Sequence, residues 1–286
     1  DAKALVVLAG DRSPAIQVAE ARGIPVVELH PLLDGPAGLF ALRCACQGQV
    51  SRGGAAGSND VALILHTSGT TSRPKMVPLT HANLCASAAN ITQSLELTGN
   101  DRCLNVMPLF HIHGLMAAVL ASLAAGGSVV CTPGFQATHF YAWVEAFRPT
   151  WFTAVPTMHQ SILARASANR STLAETPLRF IRSCSAALPP QVMAEMERAF
   201  GVPVVEAYGM TEASHQMAVN PLPPLARKPG SVGVATGLEV AIMAQDDDFF
   251  IFHPDSQSTI AGFDAFKKLG ERSWMKDEFR ATDFAV

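Results

Sequence analysis

The chain reads as an α/β protein, with mostly parallel sheets and helices on both faces. Two observations lead there. Short β-branched runs alternate with helix-spaced runs along most of the length, and polar clusters follow the strands at their carboxyl ends. Composition permits it: 49% hydrophobic residues over 286 positions is enough for a sizeable core in one large domain or two modest ones.

Taken in order, Ala4 to Gly10 is a β-branched run closed by glycine, which predicts a buried strand. Pro14–Arg22 has helical spacing and stops at Gly23, and Ile24–Leu29 forms the next strand. Ser51–Asn59, rich in Gly, Ala and Ser, predicts a loop between subdomains. Val61–Leu65 is strand-like and feeds the polar stretch His66–Lys75, after which Thr80 can N-cap a helix to about Leu95. The alternation then runs steadily: strand Cys103–Met107, helix Leu115–Ala125 ending at Gly126-Gly127, strand Ser128–Cys131, helix His139–Phe147. Strand Trp151–Val155, helix Thr157–Ala168, strand Arg179–Cys184, helix Pro189–Phe200 and strand Val204–Ala207 follow. In the last helix Val192, Met193, Met196 and Phe200 recur at helical spacing and read as a core stripe rather than a sulfur-based site.

Ligands bind at the carboxyl ends of strands in such sheets. Four polar clusters are expected at one edge of one sheet: Thr67–Lys75, Pro108–Gly114, Ser183–Ala187 and Tyr208–Glu212. Thr67, Ser68, Thr70, Thr71 and Ser72 supply hydroxyls, Gly69 lets backbone approach, and Arg73 and Lys75 supply charge. Those are the groups a polyphosphate needs, although on composition alone the stretch reads equally as a polar surface turn.

Other classes are disfavoured. The net charge of −3, with no Lys/Arg run, argues against nucleic-acid binding. The six cysteines contain no Cys-x-x-Cys pair and sit mostly in apolar runs, so neither a disulfide framework nor a zinc site is expected, and a reducing cytoplasm is the default. The longest apolar stretch, Leu115–Ala125, is too short to span a membrane. Asp1 opens directly into a strand-like run, so no signal peptide is read there; without an initiator Met, the chain reads as a fragment or a processed chain. Neither Gly-x-x-x-x-Gly-Lys-Ser/Thr nor Gly-x-Gly-x-x-Gly after a strand occurs, which disfavours Walker-type NTPases and Rossmann dehydrogenases.

Thr-Ser-Gly-Thr-Thr-Ser-Arg-Pro-Lys (67–75), Pro-Leu-Phe-His-Ile-His-Gly (108–114) and Glu-Ala-Tyr-Gly-Met-Thr-Glu (206–212) resemble, in order and spacing, the core motifs of adenylate-forming (AMP-binding) enzymes. The resemblance covers roughly Ala4–Met243. Arg-Phe-Ile-Arg-Ser-Cys-Ser-Ala-Ala-Leu (179–188) and Tyr-Gly-Met-Thr-Glu-Ala-Ser-His-Gln-Met (208–217) resemble the oxalate–CoA ligase branch of the acyl-CoA synthetases, with the 4-coumarate–CoA ligase-like group as neighbour. The resemblance implies residues 1–245 as a truncated large AMP-binding domain and residues 246–286 as a tail that does not match the family's C-terminal domain.

It also implies roles. Thr67, Ser68, Gly69, Thr70, Thr71 and Lys75 would hold the β- and γ-phosphates of ATP. Ser185, Ala186 and Ala187 would line the adenine and acyl pocket. Tyr208 would stack on adenine, Gly209 would leave backbone space for the nucleotide beside Met210, and Thr211 would bond the α-phosphate. Glu212, with Thr67, would hold Mg²⁺. His111 would gate the acyl pocket, whereas His113 stays open between a structural and a catalytic role. His215, helped by Ser185, would select a short polar acid by supplying a cationic or hydrogen-bonding partner. His111, Thr211 and Glu212 form the expected catalytic set.

The implied reaction is ATP-dependent ligation of a small carboxylic acid, such as oxalate, to CoA through an acyl-adenylate. The alternative is an ATP- or AMP-binding remnant without turnover, because the family's lysine-bearing C-terminal domain is not recognisable. Ser72 also departs from the family, which has glycine there; at positive φ it would add strain of order 1 kcal/mol.

Overall fold

The computed structural model describes residues 2–36, 38–45, 54–67, 74–238, 241–245 and 248–252. The chain divides into two compact units, Asp1–Ala55 and Ala56–Val286, and the division falls inside the Ser51–Asn59 stretch.

The first unit carries β1 (Leu5–Leu8), α1 (Pro14–Ala21), β2 (Val26–Pro31) and β3 (Phe40–Cys44). β1 and β2 pair in parallel, and β3 returns antiparallel to β2. The first strand is not the buried one expected: Val6 and Leu8 are 55% and 56% exposed, because one face of this small sheet carries no helix among the described residues. Cys44 is disulfide-bonded, so the expectation that cysteines here stay thiols does not hold at that position.

In the second unit, β4 (Val61–Thr67) and β5 (Lys75–Thr80) form an antiparallel pair, with Thr67 paired to Lys75 at the end of the ladder. This corrects the expected position of the hydroxyl-rich stretch. It joins two strands of a separate two-stranded sheet and is not the carboxyl end of a strand in the main sheet. The run at Met76–Leu79 is a second strand that folds back. Its alternation is plain in the structure: Val77 and Leu79 are buried while Met76 is exposed. Leu63 and Leu65 of β4 pack on the same core.

Thr80 then caps α2 (His81–Ser94). Its Oγ1 accepts the Asn83 N–H at 3.2 Å, and Asn83 Oδ1 accepts the Thr80 N–H at 3.0 Å, a reciprocal box that satisfies two otherwise orphaned donors. Beyond α2 come β6 (Arg102–Asn105), a π-helical segment His113–Leu120 running into α3 (Ala121–Ala124), β7 (Ser128–Cys131) and α4 (Phe140–Phe147). The helix expected at Leu115–Ala125 therefore starts earlier and opens in π geometry, a form concentrated at functional sites. Next are β8 (Trp151–Ala154), α5 (Pro156–Leu163), α6 (Arg170–Glu175), β9 (Phe180–Ser183), α7 (Pro190–Phe200), β10 (Val204–Met210), β11 (His215–Val219) and β12 (Val234–Ala235). A last hairpin pairs β13 (Ala241–Gln245) with β14 (Asp248–Phe252).

The main sheet has seven strands in the order β12-β11-β10-β9-β8-β6-β7. β7, β6, β8, β9 and β10 are mutually parallel; β11 and β12 extend the edge in antiparallel fashion. The period of two along each strand sorts side chains into two layers. Cys103, Trp151, Phe180 and Val205 face α2, the π-helical segment and α3. Leu104, Phe152, Ile181 and Val204 face α4 to α7, where Met193, Met196 and Phe200 form the expected apolar stripe. Thr153 and Arg182 fall in phase with Trp151 and Phe180, so they point into the layer of the π-helical segment.

At the amino ends of the strands, buried Asp101 accepts from the Thr98 N–H (2.8 Å), Thr150 Oγ1 (2.8 Å) and Arg179 Nη1 (2.7 Å). Burial alone would raise its pKa; the bonds from Arg179, Thr150 and Thr98 overcome that and lower it.

Candidate active site

Three of the four polar clusters lie where the fold argument expects them. Pro108–Gly114 follows β6, Ser183–Ala187 follows β9, and Tyr208–Glu212 closes β10, all at the carboxyl edge of the parallel strands. β11 runs the other way, so its first residue, His215, begins at that same edge.

The fourth cluster reaches the edge through the β4–β5 pair. Thr67 Oγ1, at the end of β4, lies 3.5 Å from Glu212 Oε1, which sits in the short 3₁₀ segment Thr211–Ala213. Thr67 is half-buried and Glu212 is exposed. Lys75 is exposed opposite Thr67 on β5. Ser68, Gly69, Thr70 and Thr71 lie outside the described residues, as does Ser72.

Ser185, Ala186 and Ala187 form an exposed turn after β9. Ser185 holds φ +74°, and Ser214 and His215 hold +53° and +98°, three left-handed non-glycine residues at one edge. Such backbone costs of order 1–3 kcal/mol per residue and clusters at functional sites. The Ser214–His215 kink is held by Ser87 Oγ on α2, which donates to the Ser214 carbonyl at 2.6 Å.

Tyr208 and Gly209 are half-buried and Met210 is exposed at the end of β10. Burial, then Cys184 and Glu212, raise the Tyr208 phenol pKa. At Gly209 a side chain would collide with the His215 carbonyl, since β10 and β11 shift register there. The close approach of the His215 backbone is thus a structural reason for glycine at this position. Glu206 fixes the neighbouring turns: its two carboxylate oxygens accept the Leu188 N–H (3.1 Å) and the Gly230 N–H (3.2 Å).

The densest chemistry is buried just beneath this edge. His113 and His215 are fully buried and stack at 5.1 Å between ring centroids. Burial holds both well below the ordinary histidine pKa, reinforced for His113 by His215 and Arg182, and for His215 by Arg182 and His111. His215 is therefore a neutral hydrogen-bonding group rather than a cation, which narrows the role expected from sequence. His113 bonds Ser185 Oγ through Nδ1 at 3.1 Å and Thr153 Oγ1 through Nε2 at 2.6 Å. His111 is exposed, and its Nδ1 accepts the backbone N–H of His113 at 3.1 Å.

Arg182, Thr153 and Gln216 belong to this cluster and were not anticipated. Arg182 is 0% exposed and donates to Gln216 Oε1 at 2.9 Å. The available signal was an arginine inside the strand run Phe180-Ile181-Arg182, where a charge costs far more than an apolar residue unless it is partnered.

Mg²⁺ fits the residues present. Glu212 and Thr67 offer two hard oxygen donors at an open position, leaving the remaining ligands to water and phosphate. Among the described residues no group of three or more His, Cys, Asp or Glu could form a protein-only cage.

Comparison with known proteins gives the family of the chain. An oxalate–CoA ligase from Arabidopsis thaliana is 53% identical over 189 residues, 65% of this chain and 36% of the relative. A probable CoA ligase, CCL9, from Humulus lupulus is 46% identical over 232 residues, 79% of this chain and 44% of the relative. The chain thus spans less than half the length of these relatives. Among solved structures, ATP-bound MatB from Rhodopseudomonas palustris superposes with a TM-score of 0.66 at 29% identity, covering 84% of this chain and 46% of that one. The model of the AMP-binding enzyme family matches residues 1–250, and the chain belongs to that family.

Proposed function

We propose that the chain is the core of an ATP-dependent carboxylate–CoA ligase that activates a short polar acid, with oxalate as the leading candidate. The observation that supports this most is the juxtaposition of Thr67 with Glu212 beside a buried donor cluster of His113, His215, Arg182 and Ser185. The first site suits a polyphosphate with its cation, and the second suits an acid carrying a further acceptor. The likeness to oxalate–CoA ligases points the same way.

The reaction begins when the acid's carboxylate attacks the α-phosphorus of ATP, forming an acyl-adenylate and releasing pyrophosphate. The CoA thiol then displaces AMP. The first step joins two anions, so its barrier is largely electrostatic. Mg²⁺ bound at Glu212 and Thr67 would supply charge neutralisation on the phosphates. Lys75, Thr211 and the hydroxyls of residues 67–71 bind and orient the triphosphate, and Tyr208 stacks against the adenine. His111 borders the acyl pocket, Ala186 and Ala187 line it, and neutral His215 with Ser185 donates hydrogen bonds to the acid's far end. An apolar acid would leave those donors unpaired, at about 1–3 kcal/mol each.

Pyrophosphate release with ATP, Mg²⁺ and a panel of oxalate, 4-coumarate and a medium-chain acid tests the reading. Oxalate is expected to be turned over best, and His215→Ala is expected to reduce its turnover about 10- to 100-fold. Equal oxalate turnover by that variant refutes the assignment of His215. Because the chain aligns with under half of its relatives, nucleotide binding and turnover are separate expectations. A rise in melting temperature with ATP or AMP, without pyrophosphate, identifies a binding core that does not turn over.

A further inference from the structure

The buried cation in this site has no anion among the described residues. Arg182 is 0% exposed, and none of the ion pairs among the described residues includes it. Its guanidinium instead meets acceptors on every side. Nε and Nη2 donate to Gln216 Oε1 at 3.3 and 2.9 Å, and Nη1 donates to Thr153 Oγ1 at 3.2 Å. Nη1 also reaches His113 Nε2, and Nη2 reaches His215 Nε2, each at 3.3 Å.

A guanidinium has five donors and no acceptor, and it stays protonated in proteins. Any ring nitrogen it bonds must offer a bare lone pair. Both Nε2 atoms are then unprotonated, and each neutral ring carries its proton on Nδ1. Thr153 fits the same tautomer at His113: its oxygen accepts from Arg182, and its hydroxyl hydrogen can donate to the bare Nε2 at 2.6 Å. The Nδ1–H of His113 donates to Ser185 Oγ at 3.1 Å, which frees the Ser185 hydroxyl hydrogen to point outward. Among the described residues His215 Nδ1 has no hydrogen-bond partner. The two rings are stacked at an interplanar angle of 24° with both Nε2 edges on Arg182, so both Nδ1 edges face away from it.

We propose that Arg182 is the positioning residue of the acyl site. It fixes His113 and His215 as neutral Nδ1–H tautomers, so that the Ser185 hydroxyl and His215 Nδ1–H become paired donors for a second anionic group on the acid. The guanidinium behind them supplies the positive charge that neutral histidines cannot. The substrate class is therefore a short acid with two anionic groups. That part rests on the ligase reading; the tautomers do not.

The full chain labelled with ¹⁵N-histidine, examined by long-range ¹H–¹⁵N correlation at neutral pH, decides the matter. His113→Gln and His215→Gln serve only to assign the signals. Both rings are expected to show a protonated Nδ1 and a bare Nε2. A ring protonated on Nε2, or on both nitrogens, overturns the proposal without any variant of Arg182. Arg182→Met is expected to mix or reverse the tautomers, and unchanged tautomers in the folded variant overturn it too. Sodium oxalate should shift the His215 Nδ1 resonance, with at least tenfold weaker binding in Arg182→Met, whereas acetate should show no such difference. No response of His215 to oxalate overturns the diacid assignment. An oxalate response with no pyrophosphate from any acid refutes the ligase reading alone.

Discussion

Glu212 and Thr67 stand 145 residues apart in the chain and meet at 3.5 Å, a distance too long for a strong hydroxyl–carboxylate bond. Two oxygen donors held that far apart in the open suit a shared third partner better than each other. On the ligase reading that partner is the cation accompanying ATP, and Glu212→Gln keeps the shape while removing the charge. The variant is expected to bind ATP at least tenfold more weakly in Mg²⁺, about 1.4 kcal/mol, and to lose much of the Mg²⁺-dependent rise in melting temperature that ATP gives the parent. With EDTA present the two proteins should respond alike. A full Mg²⁺-dependent rise in the variant would remove Glu212 from the cation site.

The capping of α2 carries a prediction of its own. Thr80→Ala deletes the side chain that accepts the Asn83 N–H and frees the Asn83 amide, so about 1 kcal/mol of stability should go, read as a lower urea midpoint at unchanged slope. No loss would mean that packing of Ile91 and Leu95 alone holds the helix. Thr80 was legible because a cap is a local signal: one hydroxyl residue ahead of a helix-spaced run. The centre of the parallel sheet was legible for a similar reason. Cys103–Asn105, Trp151–Ala154, Phe180–Ser183 and Val204–Ala207 are buried on both faces, and such short runs read as strands in any register. Non-local pairing was not. β5 and β11 are strands only because β4 and β10 lie alongside, and nothing within Lys75–Thr80 or His215–Val219 announces its partner. The site divides in the same way. Surface polar residues such as Glu212 and His111 stand out within their motifs, whereas Arg182, Thr153 and Gln216 act through contacts across three strands that only the folded sheet brings together.

On the scale of the whole molecule, three histidines among the described residues are buried in neutral form, and this sets how the fold should respond to acid. His159, packed against Phe152 on the opposite layer, is held down to about 4 by burial, and neither ring nitrogen has a hydrogen-bond partner among the described residues. His113 and His215 are lowered in the same direction. As pH falls below about 6.5, the unfolded chain takes up protons that the folded one refuses, so stability is complete above that pH and declines toward 4. His159 alone accounts for about 3 kcal/mol over this window. Glu206 acts in the opposite sense: burial raises its pKa despite the Leu188 and Gly230 N–H bonds, so its protonation favours the folded state slightly as acid is added. Asp101, whose pKa is lowered, begins to lose its contribution as pH falls through the usual carboxylate value, at the lower edge of the histidine window. One carboxyl cannot offset three imidazoles, and the net slope should be positive between pH 4 and 6.5. Urea midpoints at pH 7.5 and 5 measure it directly, and His159→Leu, which cannot titrate, should show a visibly smaller drop than the parent. An equal drop in that variant would show that His159 takes up its proton without unfolding, and the acid response would then belong to the His113–His215–Arg182 cluster.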